Sequence, residues 1–335
     1  MLIDIKQKGT LRAPLSAASI LERGRAVIET EAAALALLSA GLDDSFARAT
    51  ELILETRGRV VVSGMGKSGH IGRKLAATLA STGTPAIFVH PAEAAHGDLG
   101  MLMAGDTLIV LSNSGATSEL KMILRHATML RCPIIGIAAQ RESPLMHAAT
   151  VGLLLPAARE ACPANIAPTT STVLMLALGD ALAIAVMGIR GISREGLKAL
   201  HPGGVIGNRL LPVNEMMHRG EGLPLVPAAM PMREVVVAIT QKSFGIAGVI
   251  DGDGKLVGVI TDGDLRRHVE MLLMSTAADV MTIGPKTVPE GTYVEDALAI
   301  MNANKITALF IMRHDAPEVP AGLVHIHDFS RLGLI

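Results

Sequence analysis

The sequence predicts an α/β fold: a doubly wound parallel sheet flanked by helices, followed by a pair of smaller α+β modules. Three observations carry this prediction. Short apolar runs without polar alternation are separated by helical segments between residues 59 and 155, which is typical of parallel strands buried on both faces. A glycine-rich turn follows the first run. The last third of the chain repeats itself with a spacing of 64 residues.

The elements of the first domain follow in order along the chain. Residues 16–57 place apolar side chains at helical spacing, with Gly41 as a candidate C-cap. The apolar runs then predict five strands, which are "RVVVSG", "PAIFVHP", "DTLIVLSNSG", "CPIIGIAA" and the shorter "VGLLLP". The segment that ends near Leu210 is helical again. We therefore assign residues 1–210 to one α/β domain.

The remainder of the chain contains two copies of one unit. "GVITDGDLRR" is echoed by "GLVHIHDFSR", which places Asp264 and Asp328 at equivalent positions. Met217 and Met281 are separated by the same 64 residues. Two copies predict paired modules packed on each other rather than a solenoid, which generally needs three or more. The predicted modules are residues 211–273 and 274–335.

Composition excludes several classes of function. The chain has 30 basic and 31 acidic residues and only 2% aromatic residues, which argues against binding to nucleic acid or to an anionic membrane surface. Residues 171–189 are long and apolar, but Asp180 lies in the middle, so a core or interface helix is the better interpretation. "MLIDIKQKGT" has no signal-peptide pattern, and Cys132 and Cys162 lack CxxC spacing. A cytoplasmic protein with reduced thiols is expected.

The glycine turn "GMGKSG" fits two phosphate-binding templates poorly. A Walker P-loop needs a glycine where this chain has Val61. The dinucleotide template matches Gly64, Gly66 and Gly69, but it expects an acidic residue where the second strand ends in His90. The glycines are also explained by a tight strand-to-helix turn alone. That alternative does not explain the polar residues beside them.

A second polar turn follows the third strand. "SNSGAT" offers hydroxyls at Ser112, Ser114 and Thr117 before a predicted helix. Hydroxyls and free N–H groups at a helix N-terminus suit a phosphate dianion, although such residues often serve only as helix caps. Because ligands of open α/β sheets bind at the carboxyl ends of the strands, the two turns together predict a phosphate site.

The wording and order of several motifs resemble the arabinose 5-phosphate isomerases, which combine a sugar isomerase (SIS) domain with a CBS pair. The motifs are "GMGKSGHIGRKLAATLASTGTPAIFVHPAEAAHGDLGML", "SNSG", "EACPANIAPTTST" and "HPGG". The resemblance implies interconversion of D-arabinose 5-phosphate and D-ribulose 5-phosphate through a cis-enediolate. It also implies a supply of the octulosonate sugar Kdo for lipopolysaccharide or capsule.

Four positions match residues that this family uses in catalysis. Lys67 supplies a cation near the reacting oxygens, and His201 serves oxygen proton transfer or ring opening. Glu160 is our preferred base for the carbon-bound proton, and Glu119 is the second candidate. The reaction requires no redox cofactor.

The resemblance also implies a set of substrate contacts. They are Ser68, Gly83, Thr84, His90, His96, Ser112, Ser114 and Thr117. His90 is in addition a candidate ligand for adventitious or inhibitory zinc, on weak spacing evidence. One departure is Ala116, where close relatives commonly have Glu.

Partners follow from the same resemblance. A homo-oligomer, expected to be a tetramer, would let His201 reach the site of a neighbouring subunit. In the CBS pair, Thr261 and Asp264 are candidates for binding a nucleotide or sugar-nucleotide effector, whereas His325 replaces the threonine in the second copy. Two alternative functions stay open at this point: isomerisation of another sugar phosphate, and non-catalytic sensing of a sugar phosphate by an SIS regulator.

Overall fold

The computed structural model describes residues 16–335. The prediction that residues 1–10 carry no signal sequence lies outside the described residues. The chain divides into two compact units, of which the first ends at Ser193 and the second spans Arg194–Ile335. Residues 194–210, which the sequence analysis placed in the first domain, group with the second unit.

The described part of the first unit contains seven α-helices and five strands. The helices are α1 (Ala17–Ala40), α2 (Asp44–Leu54), α3 (Gly66–Ser81), α4 (Pro91–Ala94), α5 (Leu120–Met129), α6 (Pro144–Ala148) and α7 (Thr170–Arg190). The strands are β1 (Val60–Gly64), β2 (Ala86–Phe88), β3 (Thr107–Leu111), β4 (Ile134–Ala138) and β5 (Val151–Leu154). Gly41 ends α1 as predicted, and its N–H donates to Leu37 O at 3.0 Å.

The five strands form one parallel sheet in the order β2-β1-β3-β4-β5. Every residue of β1, β3 and β4 is buried, which is why these strands read as unbroken apolar runs. Alternate side chains enter different cores: Val60 and Val62 pack on the side of α1, α2, α3 and α7, whereas Val61 packs on the side of α4, α5 and α6. The predicted doubly wound parallel sheet is confirmed.

Helix α7 is the one described helix that is long and apolar enough to cross a membrane. Leu174, Leu178 and Leu182 are nevertheless buried in the core shared with α1, α2 and α3. Asp180, in the middle of the helix, forms an ion pair with Lys74 of α3. The helix is therefore a core element of the first unit, as the position of Asp180 predicts.

The second unit contains seven further α-helices and seven strands. The helices are α8 (Arg194–Leu200), α9 (Gly204–Arg209), α10 (Met232–Lys242), α11 (Asp262–Arg267), α12 (Ala277–Val280), α13 (Val294–Asn304) and α14 (Ile326–Arg331). The strands are β6 (Leu225–Pro227), β7 (Ile246–Ile250), β8 (Leu256–Thr261), β9 (Thr282–Ile283), β10 (Thr287–Pro289), β11 (Ala308–Met312) and β12 (Pro320–His325).

The two copies of the repeat have the same topology. In the first, β6 pairs parallel with β7 and β7 pairs antiparallel with β8; in the second, β10, β11 and β12 pair in the same way. A Cβ on Gly258 would lie 2.6 Å from Met281 Sδ, and one on Gly322 would lie 2.4 Å from Met217 Sδ. The repeated glycine and methionine therefore form equivalent close contacts, in which the methionine near the start of one copy packs on a strand of the other.

Candidate active site

The glycine turn has a structural reason for its spacing. β1 ends at Gly64, and Gly66 adopts a left-handed φ of +58° where α3 begins. A Cβ on Gly69 would lie 2.5 Å from Gly64 O, so the first turn of α3 passes directly over the end of β1. Close approach of helix and strand accounts for the glycine pattern without a dinucleotide.

The polar residues of this turn lie at an uncapped helix N-terminus. The N-cap residue of α3 is Met65, which makes no side-chain capping hydrogen bond. Lys67 is exposed and Ser68 is half-buried within the first turn. N–H groups left without a cap, beside an ammonium and a hydroxyl, are suited to an anionic oxygen.

The serine turn after β3 is held by its own hydroxyls. Ser112 is buried; its Oγ lies 2.9 Å from Thr117 Oγ1 and accepts from Gly115 N–H at 3.1 Å. Ser114 Oγ accepts from Ala116 N–H at 3.3 Å and is exposed. Ser112 and Ser114 therefore also cap the turn, which was the alternative explanation for these serines.

The two turns lie side by side. β1 and β3 are parallel neighbours in which Gly64 and Leu111 are register partners, so both strands end at the same level. The Lys67–Ser68 pair and the serine turn follow these two strand ends directly. The sheet thus places both predicted phosphate-binding segments at one edge, at its carboxyl ends.

Three buried polar atoms of the described residues have no hydrogen-bond partner. They are His90 Nδ1, Thr170 Oγ1 and Ser171 Oγ. His90 follows β2, which pairs with β1 on the side away from β3, so it also lies at the carboxyl edge. Because buried polar groups are normally satisfied, unpartnered atoms point to a ligand position. His96 lies exposed beyond α4.

Gly83 and Thr84 do not belong to this edge. They precede β2, and Pro85 O accepts from Val60 N–H at the start of β1, so they lie at the amino edge of the parallel sheet. Thr84 is buried, and its Oγ1 accepts from Arg190 Nη1 at 2.8 Å. Within this chain Gly83 and Thr84 therefore hold the end of α7, and their contact with the substrate stays a prediction.

Helices α3 and α7 are parallel and level with each other. A Cβ on Gly179 would lie 3.1 Å from Leu75 Cδ1, and Arg190 at the end of α7 reaches Thr84 just beyond the end of α3. Leu75 and Gly179 lie equally far from the first residues of their helices, Gly66 and Thr170. The N-terminus of α7 is therefore brought to the same edge as the glycine turn.

Glu160 is attached to this N-terminus. Its Oε2 accepts from Thr169 N–H at 2.7 Å, from Thr169 Oγ1 at 3.0 Å and from Ser171 N–H at 3.2 Å. Burial raises the pKa of Glu160, but the hydrogen bonds from Ser171 and Thr169 outweigh it and leave the pKa below the ordinary value. The carboxylate is thus ionised at neutral pH and lies at the carboxyl edge of the sheet.

Glu119 has a different environment. It is the N-cap residue of α5, and it is exposed. Ser118 Oγ donates to Glu119 Oε2 at 2.7 Å, and this hydrogen bond lowers the pKa of Glu119. Lys67, Glu119 and Glu160 all follow strand ends or flank helix N-termini of the first unit.

Comparison with known proteins identifies the family of this chain. The SIS domain family matches residues 53–185, and the CBS domain family matches residues 213–270 and 277–334. The arabinose 5-phosphate isomerase KdsD of Pseudomonas aeruginosa is 47% identical over 302 residues, which cover 89% of this chain and 92% of that protein. KdsD of Escherichia coli K12 is 42% identical over 318 residues, covering 94% and 96%. This chain belongs to the KdsD family.

A solved structure supports the fold of the first unit. A protein of Escherichia coli CFT073 in complex with arabinose 5-phosphate is 34% identical, with a TM-score of 0.54. The alignment covers 56% of this KdsD-family chain and 100% of that protein. The prediction of an SIS domain followed by a CBS pair is confirmed.

In this KdsD-family member, His201 lies in the second unit, directly after α8. Its Nδ1 lies 2.9 Å from Leu197 O, and because a carbonyl only accepts, Nδ1 carries the proton. In this tautomer Nε2 is the ring's acceptor nitrogen. The other three predicted catalytic residues, Lys67, Glu119 and Glu160, lie in the first unit.

The segment that carries His201 is attached to the CBS pair by ion pairs on both sides of the histidine. They are Arg194 with Asp296 at 2.6 Å, Lys198 with Glu215 at 2.5 Å and Arg209 with Glu295 at 3.7 Å. Asn208 Nδ2 also donates to Leu332 O at 2.9 Å. The CBS pair thus orders the chain around His201.

The candidate effector residues of the KdsD-family CBS pair already have structural partners. Thr261 caps α11, and its Oγ1 donates to Asp264 Oδ2 at 2.6 Å. Thr282 Oγ1 donates to Asp264 Oδ1 at 3.1 Å. In the second copy, His325 and His218 take the places of these two threonines around Asp328, with His218 Nε2 3.1 Å from Asp328 Oδ2. The copies are therefore chemically different.

Sequence reasoning missed Thr169 and Ser171, the partners of Glu160. The available signal was the Thr/Ser run "TTST" before a long apolar segment, which is typical of a helix start. Among the described residues, no group of three or more His, Cys, Asp or Glu side chains is arranged to hold a metal ion. The zinc interpretation of His90 stays a prediction.

Proposed function

We propose that this chain is an aldose–ketose isomerase that interconverts D-arabinose 5-phosphate and D-ribulose 5-phosphate through a cis-enediolate. The observation that carries the proposal is the gathering of Lys67, the serine turn and Glu160 at the carboxyl edge of one parallel sheet. The KdsD relatives and the E. coli protein in complex with arabinose 5-phosphate support the choice of substrate. The ionisable residues exceed what a non-catalytic sensor requires.

The phosphate is held between the two turns. Ser68 and Lys67 lie at the uncapped N-terminus of α3, and Ser114 and Thr117 lie in the neighbouring serine turn. Ser112 is buried and orders that turn. A dianion at this position meets N–H groups and hydroxyls, which favour its charge.

The sugar carbons face the acid–base groups. Glu160 removes the proton from one carbon and returns it to the neighbouring carbon, with Glu119 as the second candidate for this role. Lys67 stabilises the enediolate oxygens. His201 Nε2 moves the oxygen-bound protons or opens a cyclic substrate. His90 and His96 contact the substrate; none of these steps needs a redox cofactor or a metal ion.

The assembly is a cytoplasmic homotetramer in which His201 serves the site of a neighbouring subunit. Both cysteines are free thiols, in keeping with a reducing compartment. The product supplies Kdo synthesis. The CBS pair either binds a nucleotide effector at Thr261 and Asp264 or only stabilises the assembly.

Incubation with ribulose 5-phosphate in deuterated water tests the function. We expect arabinose 5-phosphate labelled at C2, because the base exchanges its proton with solvent. Lys67→Ala, Glu160→Gln and His201→Ala should each lower turnover by at least about a hundredfold. Lys286→Ala, at an exposed lysine of the second unit, is the matched control. Absence of turnover with pentulose and hexulose phosphates would exclude the enzyme; turnover of hexulose phosphates alone would change its substrate.

A further inference from the structure

Thr169 departs from the usual N-cap hydrogen-bonding pattern at the start of α7. A threonine at an N-cap position normally accepts a hydrogen bond from its own helix with its side chain. Thr169 is the N-cap residue of α7, but its side chain makes no capping hydrogen bond. A departure from local preference of this kind is expected where function imposes a different geometry.

Both hydrogen-bonding capacities of the Thr169 hydroxyl are used on the loop that carries Glu160. The hydroxyl donates to Glu160 Oε2 at 3.0 Å and accepts from Ala161 N–H at 2.9 Å. Asn165 Oδ1 accepts from Glu160 N–H at 2.6 Å, which fixes the backbone of the same residue. The carboxylate of Glu160 in turn caps α7 through the N–H groups of Thr169 and Ser171.

The two carboxylate oxygens of Glu160 are therefore unequal. Oε2 accepts three hydrogen bonds, whereas the described residues donate none to Oε1. The adjacent Thr170 hydroxyl is buried and unpartnered. One oxygen is thus fixed by the protein and the other is left for a ligand.

We propose that Thr169 is a positioning residue of the isomerase: its hydroxyl holds Glu160 Oε2 so that Oε1 meets the carbon-bound proton. This inference rests on the proposed role of Glu160 as the carbon base. The hydroxyl acts on the reaction only through Glu160. The same hydrogen bonds contribute to the lowered pKa of Glu160, which keeps the base ionised.

Thr169→Val and Thr169→Ser form the matched pair of variants. Valine keeps the shape and the backbone N–H but removes the hydroxyl, whereas serine keeps the hydroxyl. We expect Thr169→Val to lower kcat between about tenfold and about a hundredfold, the scale for misplacing a catalytic group, with KM changed less than about threefold. Thr169→Ser should remain within about threefold of the original kcat. If valine destabilises the fold, Thr169→Ala gives the same comparison.

The pH profile separates positioning from a purely structural role. Loss of the hydroxyl removes one hydrogen bond that favours the charged form, so the acid limb of kcat/KM should move to higher pH in Thr169→Val. The double variant Glu160→Gln/Thr169→Val should be no slower than Glu160→Gln. Wild-type turnover in Glu160→Gln would refute the role of Glu160 itself. A slow Glu160→Gln with a Thr169→Val that matches Thr169→Ser in kcat and pH profile would overturn the role of Thr169 alone.

Discussion

Alanine substitutions in the glycine turn test whether close approach or backbone conformation dictates its spacing. At Gly66 an added Cβ meets no atom within 4 Å, but φ is +58°, so alanine should cost about 1 kcal/mol. At Gly69 the backbone is helical, and alanine would by propensity gain about 1 kcal/mol. Its Cβ, however, would lie 2.5 Å from Gly64 O. At Gly69, helix propensity and the steric contact therefore predict changes of opposite sign in the free energy of unfolding.

We expect the contact to decide the outcome at Gly69. The added Cβ cannot rotate away and the atom it meets, Gly64 O, is backbone, so relief requires α3 to move away from β1, and overpacking of this kind costs about 3 kcal/mol. The movement also displaces Lys67 and Ser68, so KM for ribulose 5-phosphate should rise about tenfold. Gly66→Ala should lose only about 1 kcal/mol and change KM less.

Urea denaturation followed by circular dichroism measures the free energy of unfolding, and steady-state kinetics measures KM. Gly188→Ala is the control, because Gly188 lies in α7 and an added Cβ there meets nothing within 4 Å. That variant should be neutral or slightly more stable. A Gly69→Ala protein as stable as Gly188→Ala, with unchanged KM, would refute the argument from close approach.

Three further predictions concern the base, the CBS pair and pH. Glu119→Gln should lower turnover less than Glu160→Gln, because Glu119 is exposed; the reverse order in steady-state kinetics would reassign the base. A chain ending at Leu210 should keep about a tenth of the activity. It loses three exposed ion pairs, of about 0.5 kcal/mol each, that hold the segment carrying His201. A folded, assembled but inactive protein would contradict this. Burial lowers the pKa of His325, and the nearby His327 lowers it further. The unfolded chain therefore binds more protons than the folded one, so the second unit should lose stability as pH falls through about 6.5. Urea unfolding followed by the fluorescence of Tyr293, the single tyrosine in a chain without tryptophan, measures this stability. Between about pH 7.5 and about pH 5.5, His325→Thr should lose less stability than the original protein, and an equal loss would refute the role of His325.

The fold followed from the sequence where short-range patterns determine it. Strands β1, β3 and β4 are buried on both faces, so their apolar runs identified them and indicated a parallel sheet. The repeat predicted two paired modules because each copy carries the same glycine and methionine, which the structure brings into equivalent contacts. The division at Ser193 could not be predicted, because it depends on ion pairs between Arg194–Arg209 and residues far along the chain.

The sequence by itself determined the chemistry of the site: which residues carry phosphate-binding hydroxyls, carboxylates and a cation, and which turns follow strand ends. Only the tertiary structure decided which of them share an edge. Gly83 and Thr84 read like members of the site, yet parallel strand order places them at the opposite edge. Glu160 reaches the site because α7 packs level with α3 and its N-terminus binds the carboxylate. Such placement depends on packing between segments distant in sequence, which local patterns do not encode.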